Sequence, residues 1–306
     1  MSSRRKFIHQ SITGSFLLAS SSFPLNAFAD DSNITKLTIL HTNDVHSRID
    51  PFPMDGSRNA GLGGAERRAQ MISNIRAAEK NVLLFDCGDI FQGTPYFNFF
   101  GGELEMKLMS KMKYDASTMG NHDFDAGIDG FEKQMKHANF PFIVSNYDFK
   151  NTILNGKTHK YKIFEIDDIK VGVIGIGIEL DELVPKKLYK ETQYLDPISE
   201  AQKYASLLKN EMDCDYVVCL SHLGYKYNDD TVSDIHLAQN TEDIDLVLGG
   251  HTHTFMRKAD IRRNRKGREV IVSQAGWAGI LLGQINIHFE KNKKHVCLSC
   301  KNTLIK

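Results

Sequence analysis

Leu246-Val247-Leu248-Gly249-Gly250-His251-Thr252-His253 is a short apolar run broken by two glycines and closed by a histidine pair, the strongest of five such segments in the chain. Asn43-Asp44-Val45-His46 comes after the run Leu37 to Leu40, Gly88-Asp89 after Val82 to Phe85, and Ser221-His222 after Tyr216 to Leu220; Gly120-Asn121-His122-Asp123 completes the set. Singly they decide little: Asp44-x-His46 reads as a turn with a surface histidine, Gly120-Asn121 as a plain turn, and His222 as a satisfied core histidine. In an open α/β sheet, however, residues just beyond the carboxyl ends of the strands converge on one crevice. The recurrence of Asp, Asn or His directly after strand candidates therefore predicts that Asp44, His46, Asp89, Asn121, His222, His251 and His253 meet there.

Carboxylate, carboxamide and imidazole without thiolate suit manganese, iron, zinc or cobalt better than a structural zinc. Two such ions about 3.5–4 Å apart form an arrangement for in-line displacement at phosphorus. It needs a bridging carboxylate, for which Asp89 is the natural candidate. Glycines at 88, 120, 249 and 250 let the backbone turn tightly enough for short side chains to reach the ions.

Outward from these segments, apolar runs alternate with amphipathic stretches in a layered α/β rhythm. Further strands are expected at Phe142 to Ser145, Tyr161 to Ile166, Val171 to Ile176, Val270 to Ser273 and Leu282 to Phe289. Helices are expected at Gly64 to Glu79, Glu103 to Met112, Gly130 to His137 and Pro197 to Asn210, and Asn155-Gly156 reads as a tight turn. No repeat, low-complexity linker or composition shift marks a second domain, so one domain is expected from Asp30 to Lys306. Of 306 residues, 41% are hydrophobic and 25% charged, which is ordinary for a globular chain. With 38 basic and 38 acidic residues, formal net charge is zero. No overall field draws the chain to a nucleic-acid polymer or an anionic membrane.

Residues 1–29 stand apart. Ser3-Arg4-Arg5-Lys6-Phe7-Ile8, the apolar Phe16-Leu17-Leu18-Ala19 and the small-x-small Ala27-Phe28-Ala29 read as a twin-arginine export signal cleaved before Asp30. A periplasmic or otherwise exported protein is expected, without a spanning helix after cleavage. The five cysteines, Cys87, Cys214, Cys219, Cys297 and Cys300, leave at least one unpaired within the chain. Strand alternation would put Cys297 and Cys300 on opposite faces, although a disulfide is open to them in an oxidising compartment. Cys87 reads as a small buried filler.

Taken together the segments resemble the signature of calcineurin-like metallophosphoesterases, in the branch of secreted 5'-nucleotidases and UDP-sugar hydrolases. Leu40-His41-Thr42-Asn43-Asp44-Val45-His46, Gly88-Asp89-Ile90-Phe91-Gln92-Gly93-Thr94, Gly120-Asn121-His122-Asp123-Phe124-Asp125 and Gln274-Ala275-Gly276-Trp277 carry the likeness. A protein phosphatase is disfavoured, because that branch has an arginine-bearing segment where this chain has Phe91-Gln92-Gly93. The resemblance implies a four-layer α/β/β/α sandwich holding two divalent ions. Asp44, His46, Asp89 and His253 would bind one, and Asp89, Asn121, His222 and His251 the other. A metal-bound hydroxide would attack phosphorus. His122 would stand beside the phosphoryl oxygens as a catalytic group rather than a ligand, and Asp125 would orient and charge it. Asp125 also reads as a helix cap before Gly127, and both roles can coexist.

Such a protein would hydrolyse phosphate monoesters, with a 5'-nucleotide as the first substrate expected. UDP-sugars, cyclic nucleotides or a carrier-bound sulfur ester form a second enzymatic reading. A non-catalytic metal-binding subunit predicts a damaged ligand set or a missing His122, and both are intact. The two-domain nucleotidases carry a further domain that holds the nucleobase, and this chain ends where their catalytic domain would. The expectation is either a separate polypeptide supplying that domain or weak selection among small phosphoesters. The basic run from Arg257 to Arg268 reads as a solvated hairpin that could also attract phosphate or an acidic partner. Phe97, Phe99 and Phe100 could pack in the core, line a pocket or form a docking patch.

Overall fold

The computed structural model describes residues 34–290 and 295–306, so the proposed export signal lies outside the described residues. Two sheets face each other. One runs β13-β12-β1-β2-β3, from β1 (Ile34–Thr42), β2 (Val82–Asp86), β3 (Ala116–Ser117), β12 (Leu281–Glu290) and β13 (His295–Leu304). The other runs β10-β11-β9-β8-β6-β5, from β5 (Tyr161–Ile166), β6 (Ile169–Ile176), β8 (Tyr216–Ser221), β9 (Leu246–Gly249), β10 (Asp260–Arg263) and β11 (Glu269–Gln274). A small pair, β4 (Tyr147–Asp148) and β7 (Gln193–Tyr194), lies apart from both.

The apolar runs are continuous because both faces of these strands are buried, as a helix-covered sheet requires. Side chains alternate between faces, so each strand supplies two cores. Leu83 and Phe85 of β2 pack with Val218 and Leu220 of β8 in the layer between the sheets. Leu84 instead meets α1 (Ala65–Ala78), α3 (Glu103–Lys111) and α4 (Gly127–Met135) through residues such as Ile72, Met106 and Phe131. Across the molecule, Val217 and Cys219 face α6 (Pro197–Asn210) and α7 (Asp234–Asn240) through Ala205, Leu208 and Leu237. This is the expected α/β/β/α sandwich. Among the described residues, no helix is long and apolar enough to cross a membrane.

Four expectations change. Phe142 to Ser145 is extended but joins no ladder of its own; it touches Ser117 and His159 through single bridges. The helix placed at Gly130 to His137 starts three residues earlier, at Gly127. Three further short helices form among the described residues: α2 (Pro95–Phe100), with proline in its first turn, α5 (Lys186–Tyr189), and α7, whose Ser233 side chain caps His236 N–H. A register shift between Asn286 and Ile287 sets Cys300 opposite Ile285 and Cys297 opposite Ile287, two places apart on β12. The bulge thereby breaks the simple alternation on which the opposite-face expectation rests. Cys300 is disulfide-bonded, while Cys87, Cys214 and Cys219 are free and buried.

Strands β1, β2 and β3 are mutually parallel, as are β6, β8, β9 and β11. The extended segment after Pro141 seals the gap beyond β3, donating Ser145 N–H to the Gly175 carbonyl at 2.7 Å. Its approach is so close that a Cβ on Gly175 would stand 1.8 Å from the Ile143 carbonyl oxygen. Gly175→Ala is therefore expected to lower stability by about 2–4 kcal/mol through backbone overpacking. Thermal unfolding with an unchanged midpoint would contradict this account of the seam.

Candidate metal centre

At the carboxyl end of β1 the chain enters Asn43-Asp44-Val45-His46, and at the end of β2 it enters Gly88-Asp89. Backbone bonds from Asp44 N to Gly88 O (2.9 Å) and from His46 N to Asp89 O (3.0 Å) lock these two loops together. Asp44, His46, Asp89, His251 and His253 all have φ between 50° and 69°, the left-handed region that side chains normally avoid. Such strain persists only where surrounding contacts dictate it, and it concentrates at functional sites.

The structure brings all seven proposed ligands to one rim. Asp44, His46 and His253 form one group and Asp89, His222 and His251 another, with each group's donor atoms lying within 4.8 Å of one another. In the first, His253 Nε2 stands 3.0 Å from His46 Nε2 and 3.3 Å from Asp44 Oδ1. In the second, His222 Nε2 stands 3.2 Å from Asp89 Oδ2, and Asn121 Oδ1 lies 2.9 Å from His251 Nδ1. Asp89 Oδ2 is also 3.7 Å from His46 Nε2, which places that carboxylate between the groups.

This donor set fits cations. Asp44 and Asp89 are buried, and among the described residues neither meets a lysine or arginine; their ionic partners are histidines. Buried carboxylates without a counter-ion are costly. His222 is fully buried, and its Nδ1 donates to the Cys87 carbonyl at 2.6 Å. Its Nε2 has no hydrogen-bond partner, although both carboxylates face it. Burial alone would lower the His222 pKa, but Asp89 reverses this and pushes it up to about 10. Burial lowers His251 to about 4 and draws His46 down as well, so both imidazoles are neutral donors. The backbone leaves no slack: a Cβ on Gly120 would fall 2.2 Å from Asp89 Oδ1 and 2.6 Å from His222 Cε1.

Three bracing residues have roles that the motifs alone did not disclose. Asp123 accepts backbone N–H groups from Gly120 (2.8 Å), Asp89 (3.0 Å) and Ile90 (2.9 Å), tying the second loop to the third. Its pKa rises to about 7, chiefly through burial. Asn43 donates from Nδ2 to the Gly276 carbonyl and to Asp44 Oδ2, both at 2.6 Å, and accepts Ala275 N–H at 2.8 Å. Gln274, wholly buried at the end of β11, donates to Gly250 O and accepts Thr254 N–H, bracketing both histidines of that loop. Trp277 then stacks on His253, with ring centroids 5.6 Å apart and planes 7° from parallel. The signal was present in Gln274-Ala275-Gly276-Trp277, but its bracing role needs the fold.

His122 and Asp125 lie at the rim on a short 3₁₀ turn. His122 is 41% exposed at its side chain, and its Nδ1 meets Asp125 Oδ2 at 2.8 Å. Its ring centroid is 5.2 Å from that of His46. Asp125 does not cap the following helix, whose N-cap is Ala126 with no side-chain bond.

The chain belongs to the calcineurin-like phosphoesterase family, whose model matches residues 37–255. Among its relatives, the snake venom 5'-nucleotidase of Crotalus adamanteus is 35% identical over 291 residues, covering 88% of this chain and 48% of that protein. Human 5'-nucleotidase is 33% identical over 287 residues, covering 84% and 47%. The NAD nucleotidase structure from Haemophilus influenzae matches with a TM-score of 0.79 at 26% identity, over 89% of this chain and 51% of that one. The chain thus spans about half the length of these relatives.

Gln274→Ala should leave the sandwich folded but weaken metal binding about 10–100-fold, as loss of an outer support typically does. Titration with manganese or zinc, monitored calorimetrically, reads this directly; wild-type affinity would refute the bracing role.

Proposed function

We propose that this chain is a binuclear phosphoesterase that hydrolyses phosphate monoesters by attack of hydroxide on phosphorus, with 5'-nucleotides as its substrate class. The observation that carries the reading is the pair of donor groups with the Asp89 carboxylate between them and the His122–Asp125 pair beside them. Asp44, His46, Asp89 and His253 would hold one divalent ion; Asp89, Asn121, His222 and His251 would hold the other. Manganese, zinc, iron or cobalt fits these donors. When bound, the ions supply Lewis acidity to a phosphoryl oxygen and bring a water's ionisation toward neutral pH.

The chain's own contribution beyond the ligands centres on His122. Asp125 occupies Nδ1, which leaves Nε2 for an oxygen of the substrate. The hydrogen bond to Asp125 raises the His122 pKa, outweighing the opposing effect of its partial burial. A charged imidazolium at that place stabilises a phosphoryl oxygen or protonates the departing one. Because the folded pKa is raised, the charged form persists at low pH and is lost as pH climbs through that value.

An exported location, by the twin-arginine route, agrees with the disulfide at Cys300, since structural disulfides belong to oxidising compartments. The nucleotide preference rests on the relatives named 5'-nucleotidase.

His122→Ala is expected to cut turnover about 100-fold or more with bound metal nearly unchanged, whereas Asp89→Ala should lose metal at both places. Equal metal loss in the two variants would end this division of roles. Asp125→Asn should shift the alkaline limb of the kcat/KM profile to lower pH, because the main cause raising the His122 pKa is gone; an unmoved limb would refute the pairing. Phosphate release from nucleoside monophosphates, UDP-glucose and cyclic nucleotides, with manganese added, tests the substrate class. Rapid release confined to the monophosphates supports it. Slow, unselective release would overturn a self-sufficient nucleotidase and turn attention to a separate nucleobase-holding polypeptide.

A further inference from the structure

A cavity of about 990 Å³ opens near the amino ends of the strands, lined by Tyr216 at the start of β8 and Asp245 just before β9. His222 follows the far end of β8, so at about 3.3 Å per residue the cavity lies roughly 16–20 Å from the metal centre. Its other walls come from the β10–β11 hairpin, the segment leading into it, and β13.

Six cationic side chains line it against two carboxylates. Three of the six are accounted for: Lys209 pairs with Asp245 at 2.8 Å, Arg268 with Asp243 at 2.6 Å, and Arg263 with Glu269 at 3.9 Å. Among the described residues, Arg257, Lys258 and Lys301 have no carboxylate within ion-pair distance. Moreover, Lys258 and Lys301 sit directly opposite each other in an antiparallel bridge. Like charges so placed repel, and elsewhere in the sheets such positions favour opposite charges. The register that forces them together is fixed by Asn302, whose Nδ2 donates to the carbonyls of Met256 (2.6 Å) and Gln274 (2.8 Å). Ile261 and Ile271 add apolar wall.

We propose that this cavity is a binding site for a small polyphosphorylated organic molecule, with Arg257, Lys258 and Lys301 as the anion-binding groups. Three cations without carboxylate partners on the wall of one cavity call for more charge than one monoanion carries, and the volume exceeds what an inorganic ion fills. An arginine between two lysines offers a planar fork and two point charges, the combination that phosphate clusters use.

The test treats metal-loaded protein with pyridoxal 5'-phosphate, traps the imines with borohydride, and maps the labelled lysines by mass spectrometry. Lys258 or Lys301 should label ahead of exposed lysines such as Lys80, and tripolyphosphate should protect them. Arg257→Gln keeps both lysines and should raise the tripolyphosphate concentration for half-protection about tenfold, with metal content and p-nitrophenyl phosphate turnover unchanged. Even labelling of all exposed lysines, no protection by tripolyphosphate, or no effect of Arg257→Gln would overturn the proposal. Protection by poly-glutamate at lower concentration than by tripolyphosphate would overturn it in favour of an acidic polypeptide. Because labelling is read at these lysines, tripolyphosphate bound at the metal centre does not enter the result.

Discussion

Two carboxylates, Asp44 and Asp89, are buried where three loops meet, with no lysine or arginine among the described residues paired to them. Left alone that arrangement would cost several kcal/mol per charge. Much of the architecture on this side of the sandwich is explained by the need to hold the pair, and the imidazoles around it, in position for cations. His222 shows the constraint most plainly: one ring nitrogen is spent on the Cys87 carbonyl so that the other must face both carboxylates. The same bond fixes its tautomer, as an outer hydrogen bond does for a ligating histidine.

Left-handed backbone at five of the seven donors is the consequence. At about 1–3 kcal/mol per strained residue, the rim stores an amount comparable to a domain's whole net stability. It is tolerated because the three cores beneath it are apolar: the sheets fill the space between them with Val, Leu, Ile and Phe, and each outer face is covered by helices. The bracing side chains Asn43, Asp123 and Gln274 act at the junction of these regimes. Each is buried, and each converts backbone groups that the turning loops cannot pair among themselves into satisfied ones.

The strands and the gathering of the metal loops were legible because their signals are local. An apolar run followed by Gly and Asp, or by Gly, Gly and His, announces both a strand end and a loop with donors. Helix α7 was not legible, since Asp234-Ile235-His236-Leu237-Ala238-Gln239-Asn240 has too few apolar positions to show a period, and its stability comes from packing. Phe142 to Ser145 reads as a strand because it is apolar and extended; whether it joins a ladder depends on Gly175, far away in the chain. The same holds for Cys300, whose face is set by a bulge that nothing in the spacing of the two cysteines reveals.

Selection among leaving groups is a separate matter from holding the ions. At the metal rim, one ring nitrogen each of His46, His222 and His251 is already committed, to the Phe91 carbonyl, the Cys87 carbonyl and the Asn121 side-chain oxygen. Of the described histidines there, His122 and His253 are about 40% exposed at their side chains, and Trp277 covers one face of the latter. The loops can therefore recognise a phosphoryl group but have little left with which to read what is attached to it. Helix α2, which follows the Asp89 loop, is divided between two environments: Phe97 is buried in the core, while Phe99 is 80% exposed and Phe100 50% exposed. The three phenylalanines, indistinguishable in sequence, are separated by the helical period alone, one serving stability and two presented outward.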